Sequence, residues 1–221
     1  MENILILDTE TTNAFMENEK LNLDYSMFYD LGLIVGDLNG NIKLTKSFVN
    51  EDIFTNDEIM SSAYFKEKMP MYIEDIAKGK RTLTSFKHIK NYVYYIMKKY
   101  NISKVYAYNV RFDFNSLGQT TRYITKSNQR YFFKYGTQPH DIMKLGRELA
   151  KEIDYKNFCQ ENDYLTKNGK PRITVEHIVR YMWDKDFIED HTGLEDTINE
   201  YHILCELSKR YPNVDTRLWT E

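Results

Sequence analysis

The run Ile4-Leu5-Ile6-Leu7, leading into Asp8-Thr9-Glu10-Thr11-Thr12, limits the folds open to this chain more than any other stretch. Four apolar residues without a polar break read as a strand buried on both faces. Side chains alternate along a strand, so Ile4, Ile6, Asp8 and Glu10 point one way and Leu5, Leu7 and Thr9 the other. Both carboxylates therefore leave the sheet together, at its carboxyl end, where open α/β sheets place ligands. Adjacent carboxylates repel unless a cation or a proton sits between them. Their hard oxygens suit Mg²⁺ or Mn²⁺. Asp-x-Glu alone is equally a strand running into a solvated acidic turn, and a metal site requires further carboxylates in comparable places.

The 221 residues are enough for one well-buried domain. No apolar run approaches the ~20 residues of a membrane span, and no basic segment followed by an apolar core opens the chain. Cys159 and Cys205 lie far apart and outside any metal-ligand spacing. They fit reduced core thiols, and the protein is expected to be cytoplasmic. The net charge of −3 hides an asymmetry: residues 1–60 carry 12 Asp and Glu against 3 Lys and Arg. An acidic end that gathers metal, joined to a basic remainder, suits a nucleic-acid enzyme. No internal repeat, low-complexity tract or Pro/Gly-rich linker interrupts the sequence, which favours one continuous domain over 1–221.

After a polar loop over 13–24, Leu31 to Val35 reads as a second strand. Asn39-Gly40 is a hairpin turn signal, and 42–49 alternates as a third strand, giving an antiparallel meander. Asn56 caps a helix over 57–68, broken at Pro70. Thr84 caps a longer helix to residue 100, with Phe86, Ile89, Val93, Ile96 and Met97 as its buried stripe. A fourth strand covers 105–108, a helix follows to about 125, a short fifth strand covers 131–135, and a helix covers 141–151. A small hairpin on Asn168-Gly169 is expected near 164–173, Thr174 caps a helix to 183, and the last helix runs over 194–210. Strands first, then alternating helices and strands, indicate a mixed five-stranded sheet covered by helices.

Asp113 follows the fourth strand and opens a helix, which again sets a carboxylate at a strand end; it is equally a helix cap. Asp196 lies in the first turn of the last helix, where acids also serve the helix dipole. His191 precedes that helix. Taken together, Asp8-Thr9-Glu10-Thr11-Thr12, Asn109-x-x-Phe112-Asp113 and His191-Thr192-Gly193-Leu194-Glu195-Asp196 resemble the three motifs of the DEDDh 3′–5′ exonucleases. That group includes ribonuclease T, oligoribonuclease and the epsilon subunit of DNA polymerase III, within the ribonuclease H-like superfamily. The order and spacing agree over roughly residues 3–210. Gly193 replaces the family's small Ala, Asn13 stands where Gly is usual, and Asp30 opens the second strand where apolar residues or Glu are common. Asn tolerates left-handed backbone, so the turn at Asn13 survives.

The resemblance implies a ribonuclease H-like three-layer α/β fold and a phosphodiester hydrolase releasing nucleoside 5′-monophosphates. Asp8, Glu10, Asp113 and Asp196 would hold two divalent cations, Mg²⁺ or Mn²⁺, with Asp8 bridging. Two such ions about 4 Å apart can activate water and stabilise the leaving oxygen. His191 would be the general base, since imidazole titrates near neutral pH. The segment Thr9, Thr11 and Thr12 would receive the terminal 3′-hydroxyl, and Asn109 and Phe112 would shape the nucleotide pocket.

No acid occurs over 114–140, where Arg122, Lys126, Arg130 and Lys134 recur every four residues among Tyr123, Tyr131, Phe132 and Phe133. Cations beside aromatic faces commonly bind single strands, and the same pattern describes a solvated helix face over a core stripe. Lys167, Lys170 and Arg172 are a second candidate contact. His88, His140, His177 and His202 show no zinc spacing. The expected partner is a single-stranded DNA or RNA 3′ end, with a homodimer or a DNA polymerase partner left open. Two other readings stand beside this one: a catalytically silent ribonuclease H-like binding or replisome module, and an oligoribonuclease-like enzyme for short oligomers.

Overall fold

The computed structural model describes residues 2–13, 15–17, 20–22, 25–128 and 131–219, with backbone alone for 15–17 and 20–22. Strand β1 (Ile4–Thr12) is the axis of the molecule. A two-stranded ribbon, β2 (Phe15–Glu17) and β3 (Lys20–Asn22), follows it. β4 (Met27–Gly36) then returns antiparallel to β1, and β5 (Ile42–Asn50) antiparallel to β4. β6 (Thr82–Thr84) joins β5 in parallel. β7 (Lys104–Ala107) joins the other side of β1 in parallel, and β8 (Gln138–Asp141) joins β7. The sheet order is β6-β5-β4-β1-β7-β8.

The alternation read from β1 sorts the core into two layers. Leu5 and Leu7 face a cluster with Phe86, Ile89, Val93 and Ile96 of α4 (Phe86–Lys99) and Val110 and Leu117 of α5 (Val110–Thr125). Ile4 and Ile6 face the opposite cluster. This one is built from α6 (Met143–Leu149), α7 (Ile153–Glu161), α8 (Val175–Met182) and α9 (Gly193–Arg210). A third cluster, with Tyr29 and Tyr72, lies under the short helices α1 (Glu51–Phe54), α2 (Asp57–Met60) and α3 (Met69–Ala77). Among the described residues no helix is long and apolar enough to cross a membrane. Cys159 and Cys205 are buried free thiols.

The sheet has six strands, not five. β6 is only three residues long, and the helix after it is capped by Ser85 rather than Thr84, through the His88 N–H. The strand expected over 131–135 is irregular chain instead. There Phe132 and Phe133 both enter the α4/α5 core, so alternation fails, and Gly136 turns the chain at φ +87°. The true edge strand, β8, holds Gln138, Pro139, His140 and Asp141, none a strong strand former. Proline is tolerated there because the outer side of β8 meets only a short bridge at Arg217, to which Pro139 contributes its carbonyl and Asp141 the N–H. The helix expected over 57–68 stops at Met60, since Ala63 leaves it to bridge Thr12 at the end of β1. Pro70 does not break a helix but sits in the first turn of α3, where its missing N–H costs nothing. The hairpin near 164–173 amounts to one bridge, Leu165 to Pro171, closed by a turn with Gly169 at φ +69°.

Candidate active site

Three elements converge at the carboxyl end of β1. Asp8 and Glu10 emerge on the α9 side, and one oxygen each from Asp8, Glu10 and Asp196 lies within 4.8 Å of the others. Asp196 reaches this point because α9 starts directly on the sheet. A Cβ at Gly32 of β4 would lie 2.0 Å from the Gly193 carbonyl oxygen, so only glycine lets the helix terminus approach so closely. Asp196 is buried; its Oδ2 accepts the Thr192 N–H at 3.0 Å, and its Oδ1 has no hydrogen-bond partner among the described residues. A buried carboxylate oxygen left unpaired is costly and fits a cation ligand.

Asp113 comes from the other side of β1. It sits in the first turn of α5, behind Asn109, which turns the chain in the left-handed region at φ 61°. Its Oδ1 accepts both the Thr9 N–H at 3.1 Å and the Thr9 hydroxyl at 2.8 Å. The carboxylate is thus locked to the strand residue between Asp8 and Glu10. The cost of this lock is that Thr9 is buried and its hydroxyl is committed to Asp113 and Ser116.

Farther along, Thr11 and Thr12 are buried. The Thr11 carbonyl accepts the Tyr64 N–H, and the Asn13 N–H, in a left-handed turn at φ 56°, donates to Ser62. Asn109 is exposed and Phe112 half-buried beside Asp113.

His191 stands at the mouth of the cluster, itself in the left-handed region at φ 49°. Its ring stacks on Phe65, centroids 4.4 Å apart and 12° from parallel. Burial, then the nearby Lys68 ammonium, pushes its pKa down, which keeps the imidazole neutral at pH 7. Lys68 also draws down Glu10 and Asp196 against their burial.

Two parts of the site escape the motif reading. Glu200 is buried one helical turn beyond Asp196 and accepts the Tyr108 N–H at 3.0 Å, pinning the β7–α5 turn. The i,i+4 spacing from Asp196 was its one available signal. The second is a buried network centred on Asp30. Asp30 Oδ2 accepts from Tyr72 Oη at 2.7 Å, Arg81 Nη1 at 3.1 Å and the Gly193 N–H at 2.8 Å. Arg81 also donates to Glu195 at 2.8 Å and Asp75 at 3.2 Å, and Glu195 accepts the Thr192 hydroxyl. Three donors on one oxygen mark Asp30 as ionised, although burial pushes its pKa up. The network clamps β4, α3 and the first turn of α9 together.

Of the cationic candidates, Arg122 lies exposed on α5, and Lys126, exposed just past its end, sits 4.2 Å over the exposed Tyr123 ring. Lys134 lies 4.8 Å over Tyr94. Arg130 lies outside the described residues. Phe132 and Phe133 belong to the core, so the aromatic interleaving divides between core and surface. A cavity of about 910 Å³ opens beside Asn13, lined among others by Tyr25, Gln119, Arg122 and Tyr123. Lys170 and Arg172 are exposed on the 164–173 turn, and Arg172 Nε donates to the Leu165 carbonyl.

The charges at the cluster are strongly frustrated without a cation. Burial first, then Glu200, Asp113, Glu10 and Asp196, holds Asp8 well above the usual carboxylate range. Burial, Asp196 and Asp30 raise Glu10. Burial pushes Asp113 up to about 7, and burial with Glu189 pushes Asp196 up to about 8. Folding therefore tightens proton binding at these groups. Their contribution to stability is full below about pH 4, and is lost as the pH rises through the folded values. In EDTA the melting temperature is expected to fall as the pH is raised from about 5 to about 8. Mn²⁺ should reverse that trend by replacing the protons. Thermal denaturation with and without Mn²⁺ checks both signs, and a pH-independent melting temperature in EDTA would contradict the frustration described here.

The architecture is a ribonuclease H-like α/β fold: a mixed six-stranded sheet, antiparallel first and parallel after, between helical layers. The chain is similar in structure to E. coli Exonuclease I. The complex of that enzyme with a dA16 oligonucleotide aligns over 96% of this chain and 42% of that one, with 14% identity and a TM-score of 0.58. The zinc-ion-bound complex of Exonuclease I with single-stranded DNA aligns over 96% and 41%, with 12% identity and a TM-score of 0.59. The complex named for Exonuclease I and SSB-Ct aligns over 96% and 42%, with 13% identity and a TM-score of 0.57. The chain thus spans less than half the length of these proteins. Comparison with protein-family models gives no match, and comparison with curated proteins gives none.

Proposed function

We propose that this protein is a metal-dependent 3′→5′ exonuclease acting on single-stranded nucleic acid, with DNA as the favoured substrate. The observation that carries the reading is the convergence of Asp8, Glu10 and Asp196 within 4.8 Å, with Asp113 tied to the residue between the first two. The fold shared with an exonuclease seen on single-stranded DNA supports it.

In this reading Asp8, Glu10 and Asp196 hold divalent metal, with Asp113 beside Asp8. Two Mg²⁺ or Mn²⁺ ions suit four carboxylates of this kind. The bound metal supplies Lewis-acid charge to the phosphate and lowers the pKa of water.

The chain's own groups do the rest. The neutral His191 imidazole accepts the proton of the attacking water while the P–O3′ bond breaks. Phe65, stacked on the ring, limits the orientations in which it does so. Glu200 and Asp113 hold the β7–α5 turn and β1 in register, so Asp8 need not reorganise during the reaction. The cavity beside Asn13 takes the strand: Arg122 meets phosphate, while Tyr25 and Tyr123 offer faces for bases. Residues 1–221 act as one exonuclease domain, in an intracellular setting consistent with the two buried free thiols.

The test is digestion of matched 5′-labelled single-stranded DNA and RNA oligomers in Mg²⁺, Mn²⁺ or EDTA. The expected result is a ladder shortening from the 3′ end with either ion and none in EDTA, with DNA the faster substrate. Intact oligomers after incubation with folded, Mn²⁺-bound protein would overturn the reading.

A further inference from the structure

We propose that Glu189, His191 and Asp196 form a second cation site, at the mouth of the carboxylate cluster, which takes a borderline divalent ion of the Zn²⁺ class. One ligand atom from each lies within 4.8 Å of the others, and His191 Nδ1 is 4.0 Å from Glu189 Oε2. Asp196 belongs to both sets, and it is the buried residue whose Oδ2 is taken by Thr192 and whose Oδ1 has no partner among the described residues. That oxygen is the ligand both sets can share.

The two sets differ in chemistry. Asp8, Glu10 and Asp196 offer oxygen alone, which suits Mg²⁺ and Mn²⁺. Glu189, His191 and Asp196 offer an imidazole nitrogen and two carboxylates, a donor set that shifts preference toward Zn²⁺. A tetrahedral zinc with ligands at about 2.1 Å places them about 3.4 Å apart, so closure needs movements of about 1 Å. Glu189 and His191 are two residues apart on the half-buried approach to α9, where such a movement involves no helix or strand. Lys68, whose Nζ donates to the Asp190 carbonyl, anchors the segment and opposes the ion with its charge. An ion in this set engages the His191 ring. The binding claim is independent of the reaction; its consequence, inhibition of cleavage by Zn²⁺, rests on the exonuclease reading.

The experiment uses the full chain and Zn²⁺ as the probe. In Asp8→Asn, which disables the oxygen-only set, one equivalent of Zn²⁺ is expected to bind and to shift the His191 ring ¹⁵N resonances. Adding Glu189→Gln to that background should weaken Zn²⁺ by roughly tenfold or more while circular dichroism stays unchanged. Glu189→Gln alone should keep Mn²⁺-supported cleavage and need roughly tenfold more Zn²⁺ for inhibition. Zn²⁺ binding lost in Asp8→Asn, an unmoved His191 resonance, or equal affinity in Glu189→Gln would each overturn the site. Absence of cleavage under every condition would defeat the exonuclease reading and leave the binding result standing.

Discussion

Asp8→Asn is expected to abolish metal-dependent cleavage, lowering kcat by about a thousandfold or more, while raising the stability of the metal-free protein. The two effects have one cause. Asp8 is surrounded by Glu200, Asp113, Glu10 and Asp196, all of one sign, and it is held far above the usual carboxylate range by burial and by them. Asparagine keeps the shape and removes a group that folding must either protonate or bury charged among like charges. Without cation, that penalty disappears and the melting temperature rises. With cation, a ligand is missing, and the Mn²⁺-induced rise in melting temperature shrinks or vanishes. Cleavage assays and melting curves with and without Mn²⁺ measure both. A variant that kept the wild-type Mn²⁺-induced rise would place the ion elsewhere, and one that lost stability in EDTA would show that Asp8 is held by contacts other than these.

Arg81→Met should be the most damaging substitution outside the carboxylate cluster. Arg81 is buried and bonded to Asp30, Asp75 and Glu195, and removing it leaves the Asp30 charge without its cation. Breaking one side of a buried pair costs about 3–5 kcal/mol, roughly a 10 °C fall in melting temperature for a chain of this size. Isosteric apolar replacement of both partners is often far milder, because no charge is stranded. The double variant Arg81→Met/Asp30→Asn is therefore expected to recover part of the loss, and a double-mutant cycle measures the coupling. Glu195 and Gly193 carry the network into α9. The single variant should accordingly lose kcat through misplacement of His191 and Asp196, with KM less affected. Equal stability of wild type and Arg81→Met would mean that the network contributes no net energy.

The common direction of Asp8 and Glu10 was legible in the sequence from strand period, while Asp113, Asp196 and His191 stood beside them only through the resemblance of the three motifs. Strand alternation alone sends Asp8 and Glu10 to one side of β1, and Ile4 and Ile6 appear beside them in the α9-side core while Leu5 and Leu7 face α4 and α5. The left-handed turns at Asn13 and Asn109 fall on a residue type that tolerates them. The α4 stripe follows from helical period.

Other features depend on partners distant in the chain, which no local pattern encodes. Arg81 looks like any loop cation until the fold brings it to Asp30 and Glu195, 51 and 114 residues away. Gly32 looks like a weak point in a strand until α9 is seen to rest on it. Strand β8 lacks strand formers and exists because β7 offers it an edge. Phe132 and Phe133 read as a strand or as base-stacking rings, and packing against Phe28, Phe86 and Phe114 assigns them to the core. Strand period and the resemblance of the motifs thus put the carboxylates forward as candidates. Long-range packing decided their distances, their charge states and the residues that hold them in position.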